Sequence, residues 1–150
     1  MKQSLFILGI IAAALVFPSV AANAVEDTTA PVLTDFTLTS SASIDTGPSS
    51  VSFAWTATAT DDLSGVMGIF VTIRAAGGKF GQSDIRAASL GDLSLTDSDS
   101  ATLPRYMPYL VYDIHVQLID QIGNSVIYVA NGSPDLCVVD TPCQITNAAP

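Results

Sequence analysis

Three short motifs hold the residues best suited to chemistry: Asp27-Thr28-Thr29-Ala30-Pro31, Asp61-Asp62-Leu63-Ser64-Gly65 and Asp120-Gln121-Ile122-Gly123-Asn124. They offer carboxylates, one amide and neighbouring backbone carbonyls, all of them hard oxygen donors. Calcium takes about six to eight such oxygens in a flexible shell. Carboxylates gathered in one place also repel, and a divalent cation relieves that repulsion. The expected ion is therefore calcium, with Asp62 and Asp120 as leading ligands, then Asp61 and Asp27, and Asn124 last. Turn chemistry is the competing account of the same residues. Asp and Asn hydrogen-bond to their own backbone, and Gly65 and Gly123 suit positive φ.

Other catalytic groups are sparse. His115 is the only histidine, and it alternates with Ile114 and Val116, as an exposed strand residue would. No Ser or Cys stands in a recognisable nucleophile arrangement. The chain is accordingly expected not to be an enzyme. Asp97-Ser98-Asp99-Ser100 is expected to be a solvated loop, and Trp55 a core residue. Tyr106, Tyr109 and Tyr112 are open between core and surface, and Met107-Pro108-Tyr109 is a place where an aromatic can be exposed.

The elements that must position these motifs are strands. Apolar residues recur with period two in Val51, Phe53, Trp55, Ala57 and Ala59, in Ile69, Val71 and Ile73, and in Tyr112, Ile114, Val116 and Leu118. That period marks half-buried strands. Strands are expected at 31–39, 50–60, 67–74, 79–86, 92–96, 110–119 and 125–130, separated by turns such as Asp45-Thr46-Gly47-Pro48 and Ala76-Gly77-Gly78. Seven short strands at this spacing predict an all-β, antiparallel β-sandwich. In such a sandwich every second turn falls at the same end. The start of the first strand and the loops after the second and sixth therefore share one pole, which brings the three acidic motifs together.

The N-terminus predicts export. Met1-Lys2-Gln3 is followed by an uncharged apolar run from Leu5 to Phe17 and by Ala22-Asn23-Ala24, a signal-peptidase pattern. The run is shorter than the ~20 residues of a spanning helix, so cleavage after Ala24 is expected, with no membrane insertion afterwards. The expected organisation is a signal peptide over 1–24, a sandwich over 25–130 and a C-terminal tail over 131–150. Cys137 and Cys143 are the only cysteines, and in a secreted chain they are expected to pair as a small clip on that tail. Without Lys2, four basic residues face fourteen acids, thirteen of them Asp, for a net charge of −10. Nucleic acid and anionic membranes are not attracted to such a surface.

The three motifs in order, together with Tyr112-Asp113-Ile114-His115-Val116-Gln117-Leu118-Ile119-Asp120 leading into the third, resemble bacterial immunoglobulin-like domains of secreted and surface adhesin-type proteins. The resemblance covers about residues 27–130. It implies an immunoglobulin-like fold, Tyr112 as the aromatic near the start of the penultimate strand, and calcium near a domain junction at Asp27, Asp62 and Asp120. This chain is expected to differ from the family in being a lone domain with a Cys-clipped tail. The expected function is a secreted (extracellular or periplasmic), non-enzymatic binding or structural module in adhesion or matrix, acting on a protein or glycan surface. The alternative is a carbohydrate-binding or enzyme-accessory protein.

Overall fold

A computed structural model describes residues 25–75, 83–87, 92–138 and 143–148, with 83–87 described by its backbone. The expected signal peptide (1–24) and the turn at Ala76-Gly77-Gly78 lie outside the described residues. The strands are β1 (Val32–Leu38), β2 (Ser43–Ile44), β3 (Val51–Thr60), β4 (Val66–Ala75), β5 (Ser83–Ala87), β6 (Ser94–Leu103), β7 (Val111–Asp120), β8 (Ser125–Val129) and β9 (Gln144–Asn147). One sheet has the order β1-β3-β6. The other runs β2-β9-β7-β4-β5, with β8 also paired to β7.

Alternating side chains from both sheets meet in one core. Trp55, Phe36, Phe53, Ile69, Ile73, Leu103, Ile114 and Leu118 are all essentially inaccessible to water. The intervening residues of β3 and β6 face outward as a ladder of hydroxyls, with Thr56 bonded to Ser98 at 2.8 Å and Thr58 to Thr96 at 3.0 Å. Cross-strand hydroxyl pairs of this kind stabilise the solvated face of a sheet. β1 bulges between Leu33 and Asp35, and the Leu33 N–H donates to Tyr128 Oη of β8 at 3.1 Å, joining the two sheets.

Three expectations about the strands need correction. The sheets are not purely antiparallel, because β2 and β9 pair in parallel, and both strands are additional to the seven expected. The strand expected at 92–96 runs instead to Leu103, so Asp97-Ser98-Asp99-Ser100 is strand and not loop. Asp97 pairs with core-facing Ala57 and is itself buried. Inward-pointing charge on an edge strand opposes edge-to-edge association. Finally, residues 131–150 were expected as a tail, whereas β9 returns to pair with both β7 and β2 and buries Ile145 completely. Before it, a 3-10 turn (Leu136–Val138) buries Leu136, and the Cys137–Cys143 disulfide joins that turn to the approach to β9.

Tyr112, near the start of β7, is buried, and its hydroxyl donates to Pro108 O, four residues upstream, at 2.8 Å. Burial pushes its pKa up, so it remains a donor. His115 is half-buried rather than exposed. Desolvation depresses its pKa, Arg74 reinforces the effect and Asp113 opposes it. The folded state thus resists protonation. His115 stability is fully present above the unfolded pKa of 6.5 and is lost as pH falls below it. Chemical denaturation at pH 7 and pH 5 should show a loss of stability at pH 5 that is smaller in His115→Gln. An equal loss in the two proteins would remove His115 as its source.

Candidate metal centre

Register places the acidic motifs at one pole. Val32 of β1 pairs with Thr60 of β3, and Val66 of β4 pairs with Asp120 of β7. The segment before β1, the β3–β4 loop and the β7–β8 turn therefore meet. The start of β6 joins them: Leu93 O accepts from Asp61 N, and Asp92 O from Val66 N, each at 2.9 Å.

Each motif folds around its own carboxylate. Asp27 Oδ1 accepts from the Thr29 N–H at 3.0 Å and from its hydroxyl at 3.1 Å, while Oδ2 accepts from Ser64 N at 2.9 Å. Asp61 Oδ2 accepts from the Leu63 and Gly65 N–H groups at 3.3 and 2.7 Å and from the Ser64 hydroxyl at 3.4 Å. Asp120 Oδ1 accepts from the N–H groups of Ile122, Gly123 and Asn124 at 3.0, 2.6 and 2.8 Å. Its Oδ2 takes the Asn124 amide at 2.7 Å. Gly65 and Gly123 have φ of 92° and 101°, which favours glycine at the tip of each turn. Much of the acidic chemistry is thus turn chemistry, as one of the two accounts expected.

One atom is left over. Asp61 Oδ1 is buried and has no hydrogen-bond partner, although the rest of Asp61 is only half-buried. A buried, unpaired polar group costs free energy, the more so when charged. One carboxylate oxygen from each of Asp27, Asp61 and Asp120 lies within 4.8 Å of the others. Two oxygens on opposite sides of a calcium ion, each ~2.4 Å from it, are about 4.8 Å apart. The three carboxylates therefore fit one coordination sphere. Asp27 is held at a pKa of about 2, below the usual 3.8, by hydrogen bonding from the Ser64 side chain first and the Thr29 N–H next, against the opposing effect of burial. At 3.4 Å from Asp61 Oδ2 the Ser64 hydroxyl is loosely held, and it can turn between the two carboxylates. Asp27 is ionised at neutral pH, as a ligand must be.

Among the residues singled out from sequence, Asp27, Asp61 and Asp120 come together. Asn124 lies beside them with its amide nitrogen on Asp120 and, at 3.4 Å, on Asp27 O. Asp62 does not join that cluster of three. It is exposed and accepts the Thr29 hydroxyl at 2.5 Å, lining a groove with Thr29, Ala30, Val32, Thr60 and Asp61. Sequence reasoning missed Thr29 and Ser64, which link neighbouring carboxylates. Their signal was a hydroxyl two or three residues after an Asp. No known protein family matches this chain, and no curated protein is significantly similar to it.

Proposed function

We propose that this protein is a secreted, non-enzymatic immunoglobulin-like module for surface adhesion or extracellular matrix, whose acidic pole binds calcium. The observation that carries the calcium reading is the Asp27–Asp61–Asp120 cluster, one carboxylate oxygen from each within 4.8 Å of the others, in which Asp61 also has a buried oxygen with no hydrogen-bond partner. The immunoglobulin-like reading is supported by two facing sheets, β1-β3-β6 and one containing β7-β4-β5, and by the bond from Tyr112 Oη to Pro108 O, which resembles the tyrosine corner of that fold. The disulfide is compatible with an oxidising compartment.

Calcium at this pole would add a charged cross-link between three loops that hydrogen bonds such as Ser64 N to Asp27 Oδ2 and Asn124 Nδ2 to Asp27 O already join. Asp27, Asp61 and Asp120 would supply the charged ligands, with backbone carbonyls and water completing the shell. Stiffening the end of a sandwich suits a protein that bears force or presents a surface. Magnesium demands stricter octahedral geometry and keeps its water, so it should bind less well here.

Calcium binding only the folded state, at 100 times its dissociation constant, adds about 2.7 kcal/mol. Thermal unfolding should then shift upward by roughly 10 °C. EDTA should reverse the shift, and magnesium should give a smaller one. Equal melting temperatures with millimolar calcium and with EDTA would overturn the calcium reading.

A further inference from the structure

The opposite pole, about 30 Å away along the ten residues of β7, carries a second feature of different chemistry. Tyr106 is 69 % exposed and Tyr109 48 % exposed, whereas Tyr112 and Tyr128 are buried. The Arg105 guanidinium stacks 4.2 Å from the centroid of the Tyr106 ring, and its Nε donates to Gly47 O at 3.1 Å. A Cβ on Gly47 would come within 2.8 Å of Tyr109 Oη and 3.1 Å of Asp45 Oδ1, so the Tyr109 hydroxyl end and the Asp45 carboxylate both close on that glycine. Two aromatic rings, a cation and a carboxylate thus share one small patch.

The segment that presents them is held from inside. Asn147, buried in β9, donates to Met107 O at 2.9 Å and Pro108 O at 3.1 Å. Tyr106 N donates to Thr46 O at 2.8 Å, and the Met107 side chain is buried as an anchor between the two exposed tyrosines. Tyr106 itself has φ of 65°. A bulky residue in that region is disfavoured, and such outliers persist where the surrounding structure imposes them, often at ligand sites.

We propose that this patch is a glycan-binding platform for a neutral polysaccharide, with Tyr106 and Tyr109 stacking on sugar rings and Arg105 and Asp45 bonding to sugar hydroxyls. The inference rests on reading the chain as a binding module, but it does not depend on calcium. An apolar ring face beside both a donor and an acceptor matches a sugar, which has an apolar C–H face rimmed by hydroxyls that donate and accept. The net charge of −9 disfavours polyanions.

The test is retention of the purified full chain on microcrystalline cellulose, on chitin, and in gels containing xylan, laminarin or mannan, each with calcium and with EDTA. Tyr106→Gly is the informative variant, since glycine removes the ring and suits a φ of 65°. The expected result is retention of the wild type by at least one polysaccharide, weakened at least tenfold in Tyr106→Gly and in Tyr109→Ala, with Tyr106→Gly melting no lower than wild type. Retention by none of the five, or unchanged retention in both variants, would overturn the proposal. A chain that responds to calcium yet binds no polysaccharide would overturn the platform and leave the metal centre standing.

Discussion

A chain cut after Ala130 is expected to lose its cooperative unfolding transition. The missing segment contains Leu136 and Ile145, both fully buried, and burying such a side chain contributes about 1.5–3 kcal/mol. It also contains Asn147, whose amide serves Thr46 Oγ1, Met107 O and Pro108 O and whose carbonyl accepts from Thr46 N. Without it, buried groups in two other segments lose their partners, at about 1–3 kcal/mol each. β9 is also the strand between β2 and β7, so its loss detaches β2 from the sheet. Even discounted for overlap, the sum reaches about 5 kcal/mol or more, the size of a small domain's whole stability. Urea unfolding followed by circular dichroism measures this directly. A truncated chain with the wild-type midpoint would mean that residues 131–150 are an accessory after all.

In EDTA, Asp120→Ala should cost about 3–5 kcal/mol. Asp120 is wholly buried, and one of its oxygens accepts three backbone N–H groups while the other accepts the Asn124 amide. Hydrogen bonds to a charged group contribute about 1.5–3 kcal/mol each, and donors orphaned together are not additive. Asp62→Ala is the natural contrast. Its carboxylate is exposed with one hydroxyl partner, so its loss should stay within about 0.5 kcal/mol. Urea midpoints for the two variants in EDTA check both figures, and equal midpoints would contradict this account of the β7–β8 turn.

Much of the fold was legible because its central strands alternate cleanly. Val51 to Ala59 and Tyr112 to Leu118 place apolar residues on one face and polar ones on the other, and β3 and β7 lie close to the expected ranges. β6 was cut short in the sequence reading because Asp97 and Asp99 occupy inward positions, where the pattern calls for apolar residues. β9 was missed for a different reason. Gln144-Ile145-Thr146-Asn147 is too short to show a period, and its partners Ser43 and Ile44 lie a hundred residues away. The pole of the site followed from topology alone, since connection parity needs no side-chain detail. Which of two adjacent aspartates turns inward did not. Asp61 is bonded through its N–H to Leu93 O and bends its carboxylate over Gly65, leaving Asp62 outside. That choice depends on tertiary contacts that no local pattern encodes.

Asp61→Asn separates a metal site from turn chemistry, through melting temperatures in EDTA and in millimolar calcium. An amide keeps an oxygen for the turn and removes one charge from the cluster. Without calcium the variant should melt at or above wild type, because like-charge repulsion is relieved. With calcium the wild type should gain roughly 10 °C and the variant little. A variant that responds to calcium as fully as the wild type would show that Asp61 holds no metal and that the acidic pole is turn chemistry alone.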